Sequence, residues 1–211
     1  SDVASALKEN STLTLSGTVN VNDLYESDLL YAVKHDGTEI TLKNKTSDKF
    51  PVNARILIIE MQALSSGTQS TVGNYEFAEV DSYVSDDEIK LKNALTKTFD
   101  FSNRLYVVYQ KRYDKIEIER NARIICDSWA TNFNEINGLI LLCADEIIVE
   151  GKIDANYRGF RGGNSGPHGD YYGGRGEGVV HGLYNGRSGN SNYTGGGGGA
   201  YKRHGGGDVG T

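Results

Sequence analysis

Twenty-one of the 27 glycines in this 211-residue chain lie between Gly159 and Thr211. That asymmetry sets what each part can fold into. Glycine loses more backbone freedom on folding than any other residue and contributes no apolar side-chain area. Residues 159–211 therefore cannot build an ordinary core. Residues 1–158 hold only six glycines and are expected to form the folded body.

The charges divide the same way. The body carries 17 basic and 25 acidic residues, a net −8; the tail carries five and three, a net +2. Phosphate neutralisation needs clustered Lys and Arg, so nucleic acid is not an expected partner of an acidic body. No apolar run reaches the roughly 18–20 residues of a membrane span. No charged-then-apolar leader opens the chain. A start at Ser1 and a stop inside a glycine-rich stretch at Thr211 suggest processing or truncation.

Residues 1–10 suit a short helix or a frayed end. Strand patterns then follow almost without interruption. TLTLSGTVNV (Thr12–Val21) alternates apolar and polar residues, the period of a half-buried strand. Leu30–Val33 and Glu39–Leu42 flank His35-Asp36-Gly37, a tight-turn signal. ARILIIEM (Ala54–Met61) is dense enough to be buried on both faces. Residues 65–73 read as a loop, NYEFAEVDSY (Asn74–Tyr83) as a strand, and Ser85–Glu88 as a turn before EIKLK (Glu88–Lys92). RLYVVYQ (Arg104–Gln110) is β-branched and aromatic.

From Lys115 the rhythm changes. KIEIE (Lys115–Glu119), ARIIC (Ala122–Cys126), GLILLCA (Gly138–Ala144) and EIIVEGKID (Glu146–Asp154) are short strands at short intervals with few hairpin signals. In the last, Ile147, Val149 and Ile153 share one face, and Glu150, Lys152 and Asp154 the other. The expected fold is all-β. Its body is β-solenoid-like with an inserted small β-barrel, or a β-sandwich. The domains are a 1–158 body and a 159–211 glycine-rich tail.

The strand series ending in EIIVEGKIDANYRGFRGG (Glu146–Gly163) resembles the glycine-rich extracellular proteins of gliding bacteria, described as adventurous-gliding-motility or adhesin-like proteins. The resemblance covers about residues 13–163. It implies a secreted surface protein with an adhesive or structural role, and it carries no catalytic residues.

Two readings of the tail stand. It is either a flexible low-complexity segment or a set of packed polyproline-II strands, since Gly163, Gly166 and Gly169 recur every third residue. Tyr171, Tyr172, Arg175, Tyr184, Tyr193 and Tyr201 sit among the glycines. They either pack on neighbouring strands or form a contact surface for glycans or proteins. Cys126 and Cys143 are either two buried thiols or one bridge between strands. Asn10, Asn44 and Asn192 head N-x-[ST] sequons, candidate glycosylation sites.

No catalytic, cofactor-binding or metal-binding residue is signalled. The four histidines, His35, His168, His181 and His204, form no metal-ligand spacing. Asp86-Asp87-Glu88 suits a solvated turn better than calcium. The expected function is a non-catalytic extracellular structural or adhesive protein. It would associate with itself or with a cell-surface glycan or protein. The alternatives are a virus or phage receptor-binding tip and a solenoid polysaccharide-active enzyme.

Overall fold

The structure, a computed structural model, describes residues 8–160 except 35, 45–48, 65–70 and 131–134, and the backbone only of residues 8–10. The strands among these residues are β1 (Lys8–Leu15), β2 (Thr18–Asn20), β3 (Tyr25–Val33), β4 (Glu39–Leu42), β5 (Arg55–Gln62), β6 (Tyr75–Tyr83), β7 (Glu88–Leu91), β8 (Arg104–Gln110), β9 (Arg112–Ile118), β10 (Arg123–Ile125), β11 (Ala144–Val149) and β12 (Lys152–Ile153). The all-β expectation holds.

Alternation in LTLSGTV, IEIERNARI and IIVEGKI aims every second side chain inward. Parallel pairing then stacks the three segments as rungs. β1, β9 and β11 form one parallel sheet; β2, β10 and β12 form another. Register lines up three apolar columns: Leu13, Ile116 and Ile147; Leu15, Ile118 and Val149; Val19, Ile124 and Ile153. Ile116, Ile118 and Ile124 of the middle rung are fully buried.

Each rung turns a corner between its two strands. Thr12–Val21 is therefore two strands and not one. Gly17 sits at the break with φ +65°, a conformation only glycine adopts freely. At the third corner a side chain on Gly151 would overlap the carbonyl oxygens of Glu119 and Ala122, so glycine is required there by close approach. The Lys8–Asn10 backbone is already strand, which corrects the reading of a helix or frayed end for those three residues.

Between the first and second rungs, β3 to β8 close into a six-stranded antiparallel barrel in the order β3-β4-β7-β6-β5-β8. The β3–β4 hairpin turns at the expected Asp36-Gly37, where the Asp36 carboxylate accepts the Thr38 N–H at 3.0 Å. The wall β3–β8–β5 is apolar on both faces. Ile56, Ile58, Leu105 and Val107 point into the barrel. Leu57, Tyr106 and Val108 point outward into the core of the rungs. This answers the doubly buried pattern of Ala54–Met61. Solenoid rungs with an inserted barrel replace the sandwich alternative, because the two three-stranded sheets pair in parallel, rung upon rung.

GLILLCA does not become a strand until Ala144. Among the described residues, 139–143 join no strand ladder beyond the Cys143 carbonyl, which accepts the Tyr113 N–H of β9 at 3.1 Å, and Leu139 to Leu142 pack partly buried against the rung core. Two buried polar groups fasten the parts. Glu60 accepts hydrogen bonds from Thr71 Oγ1 (2.7 Å), Asn103 Nδ2 (2.6 Å) and the Asp100 N–H (3.1 Å). Arg104 donates to the carbonyls of Ala130 (3.0 Å) and Glu135 (2.7 Å), with its guanidinium 4.4 Å from the Trp129 ring centroid. The Arg104 side chain thus ties the barrel to the irregular side of the rungs.

Asp154, on the face opposite Ile153 in the strand pattern, is buried. Its Oδ2 pairs with Arg123 Nε at 2.9 Å and Lys152 Nζ at 3.3 Å, and its Oδ1 accepts the Asn156 N–H at 3.0 Å. The Asn156 N–H bond first, then the Lys152 and Arg123 bonds, hold its carboxyl below the ordinary value.

Two predictions follow from the rungs. Gly151→Ala forces the second and third rungs apart and lowers stability by about 2 kcal/mol or more, read as a fall in the urea midpoint. An unchanged midpoint would show that the corner has room the structure denies it. Because the Asp154 pKa is depressed on folding, its contribution is present above the ordinary carboxylate range near about pH 4 and is lost as pH falls through the folded value. Stability measured from pH 7 downward should therefore drop less steeply in Asp154→Asn than in the parent.

Candidate functional site

On β6 the alternation that sends Ala78 and Val80 toward the barrel interior sends Tyr75, Phe77 and Glu79 to the outer surface. The antiparallel register sets Arg55 of β5 beside Glu79, and Leu57 beside Phe77. The result is a groove of about 360 Å³ where barrel meets rungs. It is lined by Arg55, Glu76, Phe77, Glu79, Asn93 and Arg112.

Phe77, in the groove, is 40% accessible, and Tyr75, beside it on the same face of β6 and outside the groove lining, is 57% accessible. The rings meet edge to face with centroids 6.4 Å apart. The Arg55 guanidinium lies over Phe77, 4.4 Å from its centroid. The charged groups around them are held in place. Lys92 Nζ meets Glu79 at 3.0 Å, and Arg112 Nη2 meets Asp145 Oδ1 at 2.5 Å. Glu76 accepts the N–H groups of Thr96 (2.9 Å) and Lys97 (2.8 Å), fixing the turn after β7. Burial pushes the Glu76 carboxyl up, but those N–H bonds outweigh it and keep it below its ordinary value.

A second cleft of about 550 Å³ opens where β3 leaves β8 to pair with β4. Leu29, Tyr31, Lys43, Leu64 and Phe101 are among its lining residues. It is the more apolar of the two.

The residues singled out from the sequence do not gather at either place. Cys126 and Cys143 are free thiols, one buried and one half-buried, and burial pushes both thiols up, away from the reactive thiolate. Asn44 is exposed, its amide donating to Asp28 Oδ1 at 2.9 Å. Asn10 lies on β1, with its side chain outside the description. Tyr171, Tyr172, Arg175, Tyr184, Asn192, Tyr193 and Tyr201 lie outside the described residues, as do all four histidines and the whole tail after Phe160. In the acidic turn, Glu88 pairs with Lys34, and Asp87 accepts from Ser85 Oγ at 2.8 Å. Among the described residues no three His, Cys, Asp or Glu side chains gather as a metal site would need.

Arg55, Tyr75 and Phe77 were read only as strand residues. The signal was present in NYEFAEV, whose odd positions are too polar and aromatic to be a second core face. What the sequence lacked was the barrel closure that turns them outward.

No family model matches the chain, and no curated protein does. Among solved structures, the chain is similar to three phage tailspikes. One is the tailspike of Acinetobacter baumannii bacteriophage AP22 in complex with A. baumannii capsular saccharide, at 13% identity over 56% of this chain and 20% of that one, TM-score 0.31. The second is the tailspike of Pseudomonas phage LKA1, at 14% identity over 57% and 23%, TM-score 0.29. The third is the tailspike of Pseudomonas phage phi297, at 11% identity over 70% and 25%, TM-score 0.33. The chain thus spans a fifth to a quarter of these proteins' length.

Proposed function

We propose that this chain is a non-catalytic extracellular receptor-contact protein whose barrel binds a cell-surface saccharide through the groove beside Phe77. The observation that carries the proposal is the exposed Tyr75–Phe77 pair with Arg55 stacked on it. A pyranose ring offers an apolar C–H face and an edge of hydroxyls. An aromatic ring takes the first, and charged or amide groups take the second through strong hydrogen bonds. Phe77 and Tyr75 supply the faces; Arg55, Glu79 and Asn93 supply donors and acceptors around them. Their positions are set by β5–β6 pairing and by the Glu76-held turn, so little ordering remains to be done when a ligand arrives.

The rungs act as the support and the barrel as the contact element. This division suits a virus or phage receptor-binding tip, and it suits a surface adhesin equally in chemistry. A self-assembling layer is the less favoured setting, because it needs a repeating contact between copies, whereas receptor contact needs only the groove.

The test is binding of the full chain to immobilised acidic and neutral bacterial surface polysaccharides. Phe77→Ala and Arg55→Ala should each weaken binding about tenfold, while Tyr31→Ala at the other cleft should not. Binding untouched by both groove variants would remove the groove from the function. Steady release of oligosaccharides from any of these polymers would replace the binding reading with an enzymatic one.

A further inference from the structure

Both carboxylates that line the groove beside Phe77 are engaged, and one guanidinium there is not. Glu79 faces Arg55 across the β5–β6 ladder, a register in which opposite charges ordinarily pair. That pair does not form. The Lys92 N–H donates to the Glu79 carbonyl at 2.9 Å, and the Lys92 ammonium then meets the Glu79 carboxylate at 3.0 Å. Glu76 is committed in a similar way. Its Oε1 accepts from Thr96 Oγ1 at 3.1 Å, and its Oε2 accepts the Thr96 and Lys97 N–H groups at 2.9 and 2.8 Å. The second guanidinium of the groove, that of Arg112, is held by Asp145.

Arg55 is left with the Phe77 ring. Its guanidinium lies 4.4 Å from the ring centroid, and among the described residues it meets no carboxylate and no hydrogen-bond acceptor. An aromatic face attracts a cation but does not take up its N–H donors as an oxygen does. The stacking therefore fixes where the guanidinium stands while its donors stay available at an exposed position. Arg112 adds charge of the same sign close by. Burial pushes the Cys143 thiol up, and Arg55 first, then Arg112, act on it in the opposite sense, so both guanidiniums stand near that one thiol.

A ligand that matches this arrangement combines an apolar ring face with one planar anion. A pyranose bearing a carboxylate, as a uronate does, carries both in a single sugar residue. Its C–H face suits an aromatic ring, and its two carboxylate oxygens, one bond off the sugar ring, suit the guanidinium fork. Docking any sugar here takes water from the Arg55 N–H groups. A carboxylate replaces that water with charge-assisted hydrogen bonds, whereas the hydroxymethyl group of a neutral hexose replaces it only in part. Glu76 and Glu79 stay ionised beside the site by virtue of their own partners, and they oppose a more highly charged group such as a phosphate monoester.

We infer that the groove selects acidic saccharides, with a uronate residue packed against Phe77 and its carboxylate paired with the Arg55 guanidinium. This rests on the reading of the groove as a saccharide site; it adds the class of the sugar and the residue that reads its charge.

The test crosses two changes on the full chain. The probes are polymers of glucuronate, galacturonate and mannuronate, each also prepared with its carboxyl groups reduced to primary alcohols, and dextran sulfate as a second kind of anion. Reduction of the carboxyl groups should weaken binding to the parent at least about tenfold, and binding to Arg55→Gln less than about twofold. Arg55 is exposed, so this substitution leaves both cores intact. Phe77→Ala reports whether the bound polymer occupies the groove. Binding that needs Phe77 yet survives carboxyl reduction would overturn the inference and leave the groove as a site for neutral sugars. A loss on reduction as large in Arg55→Gln as in the parent would overturn it by placing the carboxylate elsewhere. Dextran sulfate bound as tightly as the uronates would overturn it in favour of any anion. No binding of any polymer, or binding indifferent to Phe77, would remove the groove reading itself and the inference with it.

Discussion

The wall β3–β8–β5 is the constraint on which the rest of the molecule depends. A strand has two faces, and in this wall both are committed to apolar cores. Leu105 and Val107 belong to the barrel; Tyr106 and Val108, one residue over, belong to the rungs. A one-residue slip of β8 would exchange the two sets and spoil both cores together. The register is thus fixed from two sides. It positions the outer face of β5–β6, and with it the aromatic groove, relative to Arg112 on the first strand of the second rung. Arg104 strengthens the same joint at one end, where its guanidinium reaches across to the Ala130 and Glu135 carbonyls.

The insertion also explains a length problem. Parallel strands need long connections, and an ordinary crossover would be a loop or helix. Between β2 and β9 the chain instead builds a closed barrel. Closure leaves the six inserted strands without a free edge, so the insert offers no competing site for strand addition. Among the described residues the stack ends at β11 and β12.

The pattern of residues showed much of this and hid a definite part. ARILIIEM announced a strand buried on both sides, RLYVVYQ announced a strand, and short strands at short intervals after Lys115 announced coils. Corner positions were harder. TLTLSGTVNV keeps its alternation straight through Gly17, so periodicity alone reads one strand where a φ of +65° makes two. GLILLCA is apolar enough for a strand, but pairing depends on a neighbour, and among the described residues 139–142 meet none. The groove was the least legible feature. A cluster of charged and aromatic residues on a strand declares a site only once closure decides which face is outside. The tail's tyrosines stand out by composition, whereas the signal of Tyr75 and Phe77 lies only in the alternation of NYEFAEV.

Glycine has two physical roles in this chain, and composition counts them as one. In a disordered or polyproline-II segment it matters for what it lacks: a side chain to bury. At a solenoid corner it matters for what its absence of Cβ permits, which at Gly151 is approach to the Glu119 and Ala122 carbonyls closer than any other residue could make. The boundary read at residue 159 rests on the first role alone. The second is a matter of position, because a stacked corner requires glycine at one place in the register, whereas a loose tail requires only number.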